Sequence, residues 1–284
     1  MSQRYGFNWG GMVARWGQAV GEDEMTESFL AIEDGFYVGR DPARGPWSAD
    51  HCHAGPVAGA LARSIEQAFA GGKHLVRLTV DLVRPVPMAG FAVEVEPTRD
   101  GKRLATAQAR LVGRDGKVCA MATGMLIAPG EDYAFPTAPV EPVAPFAAAE
   151  AGGFPITEAL HGQPFFTNFV DLHYPPGHNS DPGPTQVWMR TLPLLADEEP
   201  SPFQRLCPLA DCGNAIGRNG NLDQYRFLNT DLTIVAHRAS SEDWLHSSAW
   251  SHWHRNGIGL AQAHLSDSQG PIATALQSLV LEPV

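Results

Sequence analysis

The sequence predicts an α+β protein built as two tandem units, each a curved antiparallel sheet wrapped around one central helix. Three observations carry this. Each half holds one helical stretch followed by a run of segments that alternate apolar and polar residues, the period of a half-buried strand. The halves repeat one another at nearly one spacing. Between them, residues 129–164 are rich in Pro, Ala and Gly with little periodicity, as in a linker crossing a surface. The expected units are therefore 1–128 and 165–284.

Ala54 to Ala70 places Val57, Leu61, Ile65 and Phe69 at helical spacing and stops at Gly71-Gly72. Its small residues, Gly55, Ala58, Gly59, Ala60 and Ala62, let a sheet approach closely. Leu75 to Val86 alternates, with Leu78, Val80 and Leu82 on one face, and Phe91 to Glu96 alternates again. Leu104 to Val112 and Lys117 to Ile127 read as a hairpin turning at Asp115-Gly116. The second half repeats this order: a helix over Pro202 to Ile216, then strands over 227–237, 244–253, 259–265 and 271–281 with a turn at Gly270. Tyr174 to Thr185 is turn-rich and expected to be a loop.

The repeat is explicit in residues. Ala107-Gln108-Ala109-Arg110-Leu111 recurs as Ala261-Gln262-Ala263-His264-Leu265, 154 positions on. Thr79 with Thr233, Arg84 with Arg238, Asp115 with Gln269, Gly116 with Gly270 and Val118 with Ile272 share that spacing. Gly55-Pro56-Val57-Ala58-Gly59 matches Cys207-Pro208-Leu209-Ala210-Asp211 at 152, a loop's worth of slippage. In this frame Asp211 replaces Gly59, and Gln277 replaces Thr123. The copies are unequal, and the second holds the polar groups.

Composition sets bounds. The chain has 284 residues, 44% of them hydrophobic and 18% charged, which suffices for a packed core. Twenty basic against 31 acidic residues give a net charge of −11, which argues against nucleic acid as a partner but not against a local basic pocket. Cys52, Cys119, Cys207 and Cys212 form no CxxC pair, so a reducing, cytoplasmic setting is expected. No apolar run reaches the roughly 18 residues that suggest a membrane span. The opening MSQRYGFNWGGMVARW lacks a signal-peptide core and reads as mature chain.

The order of HAGPVAGALARSIE, RLTVDLVRPVP and a hairpin, with LNTDLTIVAHR in the second copy, resembles the double hotdog acyl-CoA thioesterases of the thioesterase II type. The likeness runs from about Glu27 to Leu281. It implies a double hotdog fold and hydrolysis of acyl-CoA to free acid and CoA, without a cofactor. It also implies that an Asp, a Thr or similar polar residue, and a Gln of the second unit activate water. Carried over singly, these are Asp211 in LADCGN, Asn229 or its neighbour Thr230, and Gln277 in TALQSLV. Asn in place of Thr departs from the pattern, although an amide still offers a donor and an acceptor to hold a water.

Rival readings attach to the same residues. Asp211 suits a helix end, Asn229 a turn, and Gln277 the solvent face of an edge strand. His51-Cys52-His53 invites a metal, but no further ligand set stands at a recognised spacing, so no metal is expected. The backbone N–H groups from His53 to Gly55, at the helix start, are candidates to face the thioester or the pantetheine arm. Arg84 and Arg238 close their strands and suit CoA phosphates or a salt-bridged strand end. His246, His252 and His254 lie among Trp244, Trp250 and Trp253 and read as a mixed surface or interface face. No GxSxG, P-loop or GxGxxG motif is present. An enoyl-CoA hydratase on this fold would call for an Asp/His pair within a short DxxxxxH stretch, and no His follows Asp211 at that spacing. A non-catalytic acyl-CoA-binding protein is the other alternative. Exposed edge strands suggest a homo-oligomer, a dimer in the simplest case.

Overall fold

The computed structural model describes residues 27–131, 133–140 and 142–284. The opening stretch read as mature chain lies outside the described residues. The elements run β1 (Leu30–Glu33), β2 (Phe36–Gly39), α1 (Ala54–Gln67), β3 (His74–Leu82), β4 (Phe91–Asp100), β5 (Leu104–Gly113) and β6 (Val118–Ile127). The second half follows with β7 (Glu150–Gly152), β8 (Asp171–Tyr174), β9 (Thr185–Arg190), α2 (Pro202–Asp211), α3 (Gly213–Ile216), β10 (Tyr225–Asn229), β11 (Asp231–Ala236), β12 (Leu245–Trp253), β13 (Ile258–Asp267) and β14 (Gly270–Pro283).

The strands form one antiparallel sheet in the order β1-β2-β4-β5-β6-β3-β11-β14-β13-β12-β9-β8-β7, with β10 also paired to β14. The sheets of the two units are continuous where β3 meets β11. Thr79 stands opposite Thr233 at this seam, their hydroxyl oxygens 3.2 Å apart. These are the positions that the sequence repeat equates, so the seam is the axis of the repeat.

Helix α1 begins at His53, held extended as its N-cap, and runs unbroken to Ala68. Val57, Leu61 and Ile65 are fully buried and the helix packs on β3, β4, β5 and β6. Gly124 permits this approach, because a Cβ there would stand 2.8 Å from Ile65 Cγ2. Gly55 plays the same part between the helices: its absent Cβ would stand 2.8 Å from Pro208 Cα, so α1 and α2 cross backbone to backbone.

The second helix departs from expectation. It breaks at Cys212 into α2 and α3. Pro208 cannot donate to the turn before it. After Asp211 the hydrogen bonds tighten, with the Ala215 N–H bonded to the Cys212 carbonyl at 3.0 Å rather than to that of Asp211. The expected strand over 227–237 is likewise split at Thr230 into β10 and β11.

Three further expectations are corrected. The 129–164 stretch is no plain surface linker: it carries β7 at the sheet edge, and Phe154 and Ile156 are buried. His246 is no surface residue. It lies buried beside the Trp188 ring, with both ring nitrogens unpartnered, and burial, with His178 adding to it, pushes its pKa down to about 4. Third, Ala107 pairs with Gly124 while Ala261 pairs with Gln277, so the counterpart of Gln277 is Gly124 and not Thr123. The second hairpin turn is one residue shorter, which shifts the frame after it. Arg238 does close its strand with a salt bridge, to Asp267 at 2.6 Å. Among the described residues no helix is long and apolar enough to cross a membrane.

Candidate active site

A cavity of about 610 Å³ opens where the start of α1 faces the α2–α3 break and β10. His53, Ala54, Asp211, Asn214, Asn229 and Thr230 line it, with Arg84 and Arg226 as exposed members. Much of the remaining wall is apolar: Val86, Phe154, Ile156, Leu160, Phe165 and Phe227. Three of these come from the stretch expected to be a linker, which thus supplies part of the wall.

Asp211 is the hub. Asn229 Nδ2 donates to its Oδ1 at 2.9 Å, Gln277 Nε2 donates to the same oxygen at 3.2 Å, and His53 Nδ1 lies 3.0 Å from Oδ2. The carboxylate is almost fully buried. A buried carboxylate is retained where donors surround it, and these three side chains are that surround.

Gln277 owes its place to the helix break. The break leaves the Asp211 carbonyl and the Asn214 N–H without helical partners, and buried groups of that kind cost about 1–3 kcal/mol each when unpaired. Gln277 supplies both: Nε2 donates to the Asp211 carbonyl at 3.1 Å, and Oε1 accepts from the Asn214 N–H at 3.0 Å. The latter contact fixes which end of the amide is oxygen, since a backbone N–H can only donate. Gln277 is therefore a buried brace, not a solvent-facing residue of an edge strand, and it does not line the cavity.

His53 is pinned by its surroundings. Its backbone N–H donates to the Ala43 carbonyl at 2.7 Å, and its ring stacks on Phe166 at 4.1 Å. The Gly55 N–H also lies 3.2 Å from Nδ1. One ring nitrogen cannot both accept from Gly55 and donate to Asp211. We assign the Nδ1 proton to the shorter contact, so that Nδ1–H donates to the buried carboxylate and the Gly55 N–H, 3.2 Å away, is left without this acceptor.

Other expected members stand apart. The Thr230 hydroxyl donates to the Ser278 carbonyl at 3.4 Å, so Asn229 and not Thr230 meets Asp211. Gly55 faces Pro208 rather than the cavity, and the His53 N–H is already spent. In that stretch Ala54 and the His53 ring reach the cavity. Arg84 forms no salt bridge among the described residues; it donates to the Val118 carbonyl at 2.7 Å, at the cavity edge. No group of three or more metal-ligating side chains occurs among the described residues. Cys52 lines the cavity, but burial pushes its thiol up to about 12, which removes it as a nucleophile near neutral pH. The sequence offered no sign of the His53–Asp211 contact, because the two residues lie in different halves. Arg226 was also missed; strand alternation next to a cavity could have found it.

Comparison with known proteins agrees with this architecture. A family model for the N-terminal domain of acyl-CoA thioesterases matches residues 43–127, and one for the C-terminal domain matches residues 140–281. A Novosphingobium aromaticivorans structure, provisionally assigned as a thioesterase, superposes with a TM-score of 0.72 at 20% identity, over 89% of this chain and 98% of that one. A hotdog protein of unknown function from Alicyclobacillus acidocaldarius gives 0.69 at 16% identity, over 89% and 95%. The acyl-CoA thioesterase II TesB2 from Mycobacterium marinum gives 0.61 at 18% identity, over 90% and 95%. No curated protein matches the chain. At such identities the solved structures speak for the hotdog fold, and the family models carry the assignment: with one domain model on each half, this chain belongs to the acyl-CoA thioesterase family.

Proposed function

We propose that the chain hydrolyses acyl-CoA thioesters to free acid and CoA at the Asp211 cavity. The observation that carries this reading is a buried carboxylate, surrounded by N–H donors, at a cavity with an apolar wall and two exposed arginines. An acyl chain suits the apolar wall, and the phosphates of CoA suit Arg84 and Arg226. Thioester hydrolysis needs a base for water and a donor for the developing oxyanion. The Asp211 cluster supplies the base function, with Asn229 to orient the water, and the Ala54 N–H at the start of α1 is the candidate oxyanion donor. Gln277 acts on Asp211 from behind.

We read the chain as two units, 1–128 and 165–284, each with its own central helix and joined by 129–164. The second unit supplies Asp211, Asn229 and Gln277. Strands β1 and β7 end the sheet, and a second copy adding there would give the expected dimer, which light scattering would reveal. A cytoplasmic location, expected from the unpaired cysteines, and a place in lipid metabolism belong to the same reading. One observation favours a second reading. His53 and Asp211 form across the halves the Asp/His pair that an enoyl-CoA hydratase would need, although the sequence lacks it at short spacing.

Free-thiol release from short, long and aromatic acyl-CoAs separates the possibilities. Turnover that collapses in Asp211→Asn supports the thioesterase. Loss of enoyl absorbance without thiol release selects the hydratase. Saturable acyl-CoA binding without either reaction selects a binding protein.

A further inference from the structure

We propose that the His53 imidazole, not the Asp211 carboxylate, is the group that takes the proton from the attacking water. This rests on the thioesterase reading and assigns its base to an atom. Asp211 then becomes a positioning residue. Its Oδ1 already accepts from Asn229 and Gln277, and its Oδ2 faces His53 Nδ1. The Asp211 side chain is 3% exposed against 15% for His53, so the imidazole is the more open of the two to a water in the cavity.

The geometry assigns each ring nitrogen a task. Nδ1–H is held by Asp211, which fixes the tautomer and the ring plane, and stacking on Phe166 holds that plane from the side. Nε2 then carries the lone pair, and it has no hydrogen-bond partner among the described residues. His53 lines the cavity, so this lone pair is the free base there.

Water oxygen bonds to the thioester carbonyl carbon as its proton passes to Nε2, and the carbonyl π pair moves onto oxygen. The oxyanion then collapses, the C–S bond breaks, and Nε2–H returns the proton to the departing CoA sulfur. Free acid and CoA thiol leave, and the ring is neutral again. Asp211 stabilises the imidazolium between the two events. The base thus comes from the first half of the chain and its orienting acid from the second.

The charged and titratable groups around His53 are Asp211 from α2, His51 and Cys52 on its own loop, and Arg44 beside Ala43. Across the cavity stand Arg84 after β3, Arg226 on β10 and Glu282 on β14.

The test is steady-state thiol release by the full-length chain across pH, for wild type, His53→Asn and His53→Ala. Asn is among the best N-cap residues, so His53→Asn keeps the start of α1 while removing the base. The expected result is a 10²- to 10⁴-fold loss of kcat with KM within a few-fold, as for removal of a general base. The loss of activity that acid causes in wild type should be absent from His53→Asn, and added imidazole should restore part of the His53→Ala rate. A His53→Asn enzyme that keeps wild-type kcat, or an acid limb unchanged in it, overturns the inference while leaving the thioesterase standing. Wild type that releases no thiol from any acyl-CoA overturns the thioesterase reading itself, and this role with it.

Discussion

Two cavities flank the crossing of α1 and α2, and they are built from equivalent positions with opposite chemistry. At the first, His53 meets Asp211. At the second, of about 430 Å³, the equivalents 152 residues away are Arg205 for His53 and Gly59 for Asp211. Leu194 fills the space that the acid would need, with its Cδ1 3.1 Å from the absent Cβ of Gly59. Arg205 is ion-paired with Glu199 and Asp243, and Arg190 with Asp171. The arginines of the first cavity, Arg84 and Arg226, pair with no carboxylate among the described residues. The strands beneath differ to match. Gly124 lets an unbroken helix settle on the sheet, whereas Gln277 at the equivalent place braces a broken one. One helix break with one brace thus separates two cavities built from equivalent positions.

The largest effect expected from breaking this difference is at the acid. Asp211→Asn keeps the shape and removes the charge. Thiol release should fall by about 10²–10³-fold, as for loss of a preorganised electrostatic group. Removing the brace comes next. Gln277→Leu strands the Asp211 carbonyl and the Asn214 N–H, and urea unfolding should show a loss of about 3 kcal/mol. The Gly124→Ala change puts a methyl against Ile65 in the first unit. It should cost about 1–3 kcal/mol in the same measurement and leave the Asp211 cluster untouched.

Acid acts on the second half through a buried histidine. His246 on β12 is held neutral by burial, with a pKa of about 4 against about 6.5 in an unfolded chain. The unfolded chain binds the proton first, so this stability is fully present above about pH 6.5 and drains away as pH falls towards 4. In a denaturation series over that window, His246→Phe should flatten the slope that wild type shows. The smallest effect is at the rim. Alanine at Arg84 or Arg226 should raise KM for acyl-CoA by a few-fold, more at low salt, with kcat unchanged, since exposed phosphate contacts are worth about 1 kcal/mol or less.

Much of the fold was legible because it is local. The uninterrupted run of small and apolar residues in α1, the alternation of β3 to β6 and the Asp115-Gly116 turn all follow from sequence periodicity, and the repeat carried the reading to the second half. Asp211 stood out because it interrupts that repeat at Gly59. What stayed hidden was non-local. The fusion of the sheets at Thr79 and Thr233 depends on pairing between distant strands. The slip that makes Gln277 the counterpart of Gly124 depends on one residue in a turn. The burial of His246 depends on Trp188, which stands opposite it on the neighbouring strand. The His53–Asp211 contact joins two halves that no spacing connects.

The proposed role of Asp211 in hydrolysis at the first cavity is tested most directly by thiol release from wild type and Asp211→Asn side by side on a panel of acyl-CoAs. It predicts turnover of at least one acyl class by the wild type and a collapse of kcat in a variant that still binds that acyl-CoA and unfolds at the same urea concentration. Equal turnover by a well-folded Asp211→Asn protein would contradict it.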